Sequence, residues 1–337
     1  MTKYLLSLLS FCLWIAHYGY AQQDSLILTN GDFMVGEAKE MDRGILTFET
    51  DYSDSDFRIE WEKIAEIYTD TYFLITLSDG RRFNGTIAST DIENVRIIAD
   101  SAIANTPKQD VVFLKGVDSD FWSRLSVSLD IGYSRTKANN LQQFSVRSAF
   151  GFIAERWSTS ASYNNVRSSQ DEINDIQRMD AGITYRYFLP RDWYPLVQIS
   201  WLSNTEQNID LRTITKLGLG KYLIHTNRTY WGVQGGVSFN NENFSNENGT
   251  RQSGESFFGT ELNMYDIGDL NLLTNVVVYP SLTESRRLRV DYTFDAKYDL
   301  PLDFYFKLGF TLNYDNQPVE NASTTDYVFQ TTFGWEL

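Results

Sequence analysis

The residue types that carry chemistry are scarce in this chain. Of its two histidines, His17 lies in an apolar N-terminal stretch, and beyond that stretch only His225 remains. The single cysteine, Cys12, lies in the same stretch. The remaining sequence therefore holds no thiolate nucleophile, no disulfide framework and no Cys or His cluster for a metal. A lipid hydrolase would need a serine beside His225 and a third group to orient the ring. His225 is followed by Thr226-Asn227, with no such serine pattern. The densest acidic group, Asp171-Glu172 with Asp175, lacks the glycine and spacing of an EF-hand loop and reads as a solvated loop. No catalytic residue, cofactor or metal ligand is expected. Asn84-Gly85-Thr86, Asn227-Arg228-Thr229, Asn248-Gly249-Thr250 and Asn321-Ala322-Ser323 match a glycosylation acceptor, as chance would give in an Asn-rich chain.

Charge, by contrast, recurs between apolar neighbours. The clearest run is Arg287, Arg289, Asp291, Asp295 and Lys297. Arg178, Asp180 and Arg186 form a second set. Arg147, Arg212, Lys216, Glu261 and Lys307 add to it, with Arg124, Asp130 and Glu336. Residues two apart on a strand share a face, so these charges share one face and the apolar residues the other. If the apolar face meets lipid, the charges line a lumen. Crowded charges of both signs pair, because an unpaired buried charge is costly. That predicts a lumen filled by a salt-bridged network. The alternative is a narrow channel in which Arg287 and Arg289 form a stripe that passes small anions or acidic sugars.

The elements that must position these charges are strands. Twelve alternating runs follow residue 117: Leu125 to Tyr133, Phe144 to Phe152, Trp157 to Tyr163, Met179 to Tyr187, Pro195 to Trp201 and Leu211 to Leu219 form the first six. Trp231 to Phe239, Phe258 to Met264, Leu270 to Val278, Leu288 to Tyr298, Phe304 to Tyr314 and Tyr327 to Leu337 form the rest. With their flanks they reach the roughly 9–11 residues of a transmembrane strand, longer than most soluble strands. The reading is an all-β protein with a 12-stranded antiparallel transmembrane β-barrel. Re-registering the fifth and eighth runs would allow roughly 10–14 strands. Tight turns follow runs two, four, eight and ten, and a slightly longer one near His225 follows run six. Longer polar loops follow runs three, five, seven and eleven, the longest from Asn240 to Glu255. Short turns on one rim and long loops on the other mark periplasmic and extracellular sides. Trp122, Trp157, Trp193, Tyr230, Trp231, Tyr265, Tyr298 and Trp335 fall near the short-turn ends, where an interfacial belt belongs.

Residues 22–116 have a different texture, with short β runs and twice as many acidic as basic residues. Leu28-Thr29-Asn30-Gly31-Asp32-Phe33 with Gly36 repeats as Leu77-Ser78-Asp79-Gly80-Arg81-Arg82-Phe83 with Gly85. Asn30-Gly31 and Asp79-Gly80 suggest type I′ hairpin turns. The reading is a small β domain of two similar halves, on the short-turn and hence periplasmic side. Its strand edges could pair with a periplasmic partner or a second copy; otherwise it caps the barrel mouth. Residues 1–21 read as a signal peptide, with Lys3, an apolar core from Leu5 to Ala16 and Gly19-Tyr20-Ala21 for cleavage. The net charge of -15 argues against nucleic acid.

The layout of residues 117–337 resembles the family of salt-induced outer-membrane proteins, catalogued as a domain of unknown function. The last strand, Tyr327-Val328-Phe329-Gln330-Thr331-Thr332-Phe333-Gly334-Trp335-Glu336-Leu337, is similar to an outer-membrane assembly signal, although many of those end in Phe or Trp. The resemblance implies an outer-membrane barrel, with membrane lipid and the barrel assembly machinery as partners. It implies no activity and assigns no catalytic residue.

Overall fold

The computed structural model describes residues 24–99, 102–117, 122–137, 140–171, 173–205, 209–244, 249–267, 269–318 and 324–335. The signal-like stretch 1–21, Glu172, Asn248, Asn321-Ala322-Ser323, Glu336 and Leu337 lie outside them. Regular structure is β apart from short 3-10 turns, and no described helix is long and apolar enough to cross a membrane.

The first sheet holds β1 (Asp24–Leu28), β2 (Phe33–Asp42), β3 (Ile45–Glu49), β4 (Phe57–Glu60) and β5 (Ile64–Tyr68). These are followed by β6 (Phe73–Leu77), β7 (Arg82–Ser89), β8 (Asn94–Ala99), β9 (Ala102–Pro107) and β10 (Val111–Gly116). Strands β1, β5, β7, β6, β10 and β2 pair in that order, and β2 pairs back to β1, closing a six-stranded ring. β3 and β4 extend from β2, while β8 and β9 extend from β7. The sequence repeat is thus a structural one: β1 to β5 and β6 to β10 are equivalent halves that trade strands across the ring. The core repeats too, with Leu26 answering Ile75, Leu46 answering Val95, Phe48 answering Ile97 and Ile64 answering Val111, all fully buried. Gly36 and Gly85 are equivalent for the same reason. A side chain at Gly36 would strike the Glu49 carbonyl, and one at Gly85 the Ile98 carbonyl, where adjacent strands close in.

The turns between paired strands differ from expectation. Leu28 N–H donates to the Asp32 carbonyl and Gly31 N–H to the Leu28 carbonyl, and only Gly31 has a positive φ, of 89°. The Leu77–Arg81 turn repeats this, with Gly80 at 82°. These are three-residue loops closed by a left-handed glycine, not two-residue type I′ turns. The I′ pattern, positive φ at both central residues, occurs instead at Arg43-Gly44 between β2 and β3.

Asp24 ties the ring together. Its fully buried carboxylate accepts from Ala38 N–H at 2.8 Å, Asp70 N–H at 2.8 Å and Thr71 N–H at 3.0 Å. Three strong donors offset the desolvation of one carboxylate.

The second sheet holds β11 (Leu125–Thr136), β12 (Leu141–Ile153), β13 (Trp157–Gln170), β14 (Ile173–Tyr187), β15 (Trp193–Asn204) and β16 (Ile209–His225). It continues through β17 (Thr229–Phe244), β18 (Thr250–Ile267), β19 (Leu270–Pro280), β20 (Leu288–Asp299), β21 (Phe304–Asp315) and β22 (Thr325–Trp335). Over the described residues every expected run is a strand, and the twelve pair in sequence order, with β11 and β22 at the ends of the described ladder. The loops are shorter than expected because the strands are longer. β17 has 16 residues and β18 has 18, so most of the Asn240–Glu255 loop is ladder, from Asn240 opposite Ser253 to Asn243 opposite Thr250. The loop expected after the third run likewise shrinks to the link between Gln170 and Ile173.

Candidate functional site: a charge-paired inner face and a covered rim

Alternation sorts the large sheet into two faces. Val127, Leu129, Leu217, Val237, Phe239, Phe258 and Phe329 are exposed on one. On the other, the β15–β20 stretch packs against itself and buries Leu196, Ser238, Asn240, Glu242, Glu255, Phe257 and Tyr279. Directly paired residues share a face, which carries this inner set across the strands: Lys216, Ser238 and Glu255 lie in one row, and Tyr279, Arg289 and Asp315 in another.

The inner face of β16–β21 is held by ion pairs. Arg289 donates to the fully buried Glu255 through Nε at 3.0 Å and Nη2 at 2.7 Å. Arg287 donates to Asp315 at 3.2 and 2.7 Å, and to Glu284 at 2.6 Å. Glu284 also accepts from Arg251 at 2.8 Å. Arg212 Nε stands 2.6 Å from the Glu242 carboxylate. Lys216 donates to the Tyr279 hydroxyl at 2.7 Å, and the Arg289 guanidinium lies 4.9 Å from the Tyr279 ring centroid. Two-point arginine–carboxylate contacts fix orientation as well as charge, which suits strands that must hold register.

Each expected charge has a place in this frame. Arg212, Lys216, Arg287 and Arg289 come together in the network, and Asp291 lies within hydrogen-bonding reach of Tyr279. Glu261 sits nearer the short-turn rim, accepting from Tyr230 at 2.6 Å and Asn263 at 2.8 Å. Arg186 lies beside the Tyr194–Tyr222 pair. Arg178 and Asp180 pair locally at 2.9 Å on an exposed stretch, and Arg147 faces Asp130 across β11–β12. Asp295 and Lys307 line a separate pocket of about 360 Å³ that Arg43 also reaches. The sequence reading missed Glu242, Glu255, Glu284 and Asp315, the carboxylates that neutralise the arginines, and Arg251, which shares Glu284 with Arg287. Asp175, expected in a solvated acidic loop, pairs with Arg167 at 2.6 Å.

The aromatic belt also needs correction. Trp122, Trp193, Trp231, Tyr298 and Trp335 are exposed, and Trp157 stacks on Phe152 at 5.0 Å. Tyr230 and Tyr265 instead turn inward. Tyr230 precedes Trp231 and Tyr265 follows Met264, so alternation puts each on the face opposite its neighbour. Together with Tyr194 and Tyr222 they form a phenol cluster at the short-turn end, with ring centroids 5.1–5.8 Å apart. His225 joins it, 5.0 Å from Tyr222, with its Nδ1 3.0 Å from the Asp192 carboxylate.

The six-stranded ring sits on this rim. Asn227 Nδ2 donates to the Val111 carbonyl at 2.8 Å, and Asn84 Nδ2 to Glu155 at 3.2 Å. Arg228 pairs with Glu62. Arg43 lies 4.9 Å above the Tyr265 ring, and Arg82 lies 3.5 Å above the Phe188 ring. Arg82 sits beside Tyr222 and Asp192, and burial pushes its guanidinium down to about 10.

The family description "Protein of unknown function, DUF481" matches residues 129–336. Among solved structures, the chain is similar to the NanC porin at 13% identity and a TM-score of 0.36, over 62% of this chain and 100% of that one. It is also similar to BamA from Haemophilus ducreyi lacking POTRA domains 1–3, at 9% identity and a TM-score of 0.26, over 97% of this chain and 78% of that one. No curated protein matches the sequence.

Proposed function

The chain belongs to the DUF481 family of proteins of unknown function, and we propose that it is an integral outer-membrane β-barrel with a lumen braced by paired charges and a structural role in the envelope. One observation carries this reading: the large sheet exposes apolar residues on one face and, over β16–β21, buries the Arg212–Glu242, Arg287–Asp315 and Arg289–Glu255 pairs on the other. In water that outer face would be a standing aggregation liability, whereas in hydrocarbon it is the solvated face. Membrane lipid is then the partner of the outer face, and β22 is the segment offered to the barrel assembly machinery. The six-stranded ring, seated on the short-turn rim, lies in the periplasm. Adaptation of the envelope to salt is the finer role that fits the resemblance. The protein acts without catalysis, with His225 bracing the rim through Asp192, so His225→Ala leaves function intact.

A second reading, a narrow channel for small anions, is favoured by one feature. Inner positions of β11 and β13 are small and exposed: Ser126, Ser128, Ser160 and Ser162. Arg287 and Arg289 supply no selective stripe to such a channel, since carboxylates occupy both. Single-channel recording of the refolded protein in a planar bilayer separates the readings. Silence from a folded, heat-modifiable barrel supports the structural role. A steady, ion-selective conductance replaces it with the channel.

A further inference from the structure

We propose that the pocket on the inner face of β18–β22 is a binding site for a small carboxylate that also carries hydroxyl groups, the chemistry of a sugar acid. The site goes beyond the barrel reading, resting on it only for its place at the short-turn mouth, and it needs no passage through the lumen. Its floor is two neighbouring rows of directly paired inner residues. One row runs Leu273, Asp295, Gly309 and Gln330, and the next Asn271, Lys297, Lys307 and Thr332. Gly309 leaves the first row hollow at its centre, where a β-carbon would stand 3.2 Å from Asp295 Oδ1. Arg43, from the turn between β2 and β3, completes the lining from the ring. The volume of about 360 Å³ lies at the low end of small-molecule sites, with room for a molecule of monosaccharide size.

The charge pairing that rules the arginine network breaks down here. Lys297 and Lys307 stand directly opposite one another, and like charges so placed repel. Both ammoniums lie over the Tyr305 ring, at 5.0 and 4.6 Å from its centroid. Lys297 has Asp299 at 3.0 Å. Among the described residues no carboxylate stands within ion-pair distance of Lys307. Asp295 lines the same pocket without forming an ion pair with either lysine. An anion set between the lysines turns their repulsion into attraction. Asp295 then selects which anion. Its charge opposes a bare phosphate, yet an ionised carboxylate accepts well from hydroxyls. The Gln330 amide and the Thr332 hydroxyl offer further partners at the same end. A carboxylate on Lys307 with hydroxyls on Asp295 uses both charges of the pocket.

The test uses the full chain from residue 22, refolded in detergent, with isothermal titration calorimetry as the readout and heat-modifiable migration recorded on the same sample. The parent is expected to bind D-glucuronate at one site, with D-glucose and inorganic phosphate each at least ~10-fold weaker. Lys307→Met is expected to weaken glucuronate at least ~10-fold, the loss of one charged hydrogen bond. Arg147→Met, on β12 and outside the pocket lining, is expected to leave it unchanged. Absence of glucuronate binding by the parent overturns the site, as does affinity retained in Lys307→Met or an equal loss in Arg147→Met. Glucose or phosphate binding as tightly as glucuronate overturns it too. A parent that binds glucuronate yet shows no heat-modifiable form contradicts the barrel reading and leaves the site standing.

Discussion

Removing Glu255 isolates the central interaction of the inner face. Its carboxylate is fully buried and takes two donors from Arg289, while Ser238 approaches it at 3.5 Å. Glu255→Leu leaves Arg289 largely buried over Tyr279 with its cation uncompensated. Breaking a buried pair from one side costs about 3–5 kcal/mol. Replacing both partners, as Glu255→Leu with Arg289→Met, removes the charge and the desolvation together, and such exchanges are often neutral or stabilising. The expected coupling in a double-mutant cycle is therefore about 3 kcal/mol or more, large beside the ~0.2–1 kcal/mol of exposed ion pairs. Denaturant-induced unfolding of the refolded protein, followed by tryptophan fluorescence, reads it. A single-mutant cost below about 1 kcal/mol, or additive behaviour of the two substitutions, refutes the claim that this pair braces the lumen.

Three further outcomes are expected. In the membrane the end strands β11 and β22 cannot leave backbone donors and acceptors unpaired. A flush antiparallel seam would place Leu129 opposite Thr331, and following the observed registers around the sheet gives it a stagger of about 12 residues, in keeping with the strand tilt of small barrels. Cysteines at Leu129 and Thr331 should cross-link within one chain, and cross-linking only between chains would show that the edges pair with a second copy. Asp24→Ala strands three backbone donors and should destabilise the ring by about 3 kcal/mol or more at roughly 1–3 kcal/mol per group, with partial recovery in Asp24→Asn; a thermal melt unchanged by Asp24→Ala contradicts the tie. Gly36→Ala and Gly85→Ala should each cost about 1–3 kcal/mol in the same melt, and a cost at one site alone would break the equivalence of the halves.

The strands were legible because period-2 patterning is local and the two faces of these strands carry opposite residue types. All twelve runs, the repeat and the inner position of Arg289 follow from it. Glu242 and Glu255 were hidden for a physical reason. β17 and β18 are longer than the roughly 9–11 residues that hydrocarbon requires. Their distal halves carry Asn241 and Asn243 on the outer face, so no apolar alternation marks them as strand. The available signal was the polar alternation itself, Asn240 and Glu242 against Ser253 and Glu255. The turn type was missed because Asn-Gly suits more than one hairpin, and only the Leu28–Asp32 hydrogen bonds distinguish them. The short-turn side was legible for the ring, but the residues that seat it on the rim were not. Arg82 and Phe188 are distant in sequence, and nothing local to either residue encodes their contact.

The central claim is that one face of the large sheet meets lipid while the other is closed around charge. Because the chain beyond residue 21 lacks cysteine, nitroxide labels can be placed singly at Val127, Ser128, Lys216, Leu217, Phe258, Gly259, Phe329 and Gln330 in the protein reconstituted in liposomes. The account predicts high collision rates with oxygen at Val127, Leu217, Phe258 and Phe329, and low rates at their neighbours. Uniform access of a water-soluble nickel chelate to both sets would contradict it.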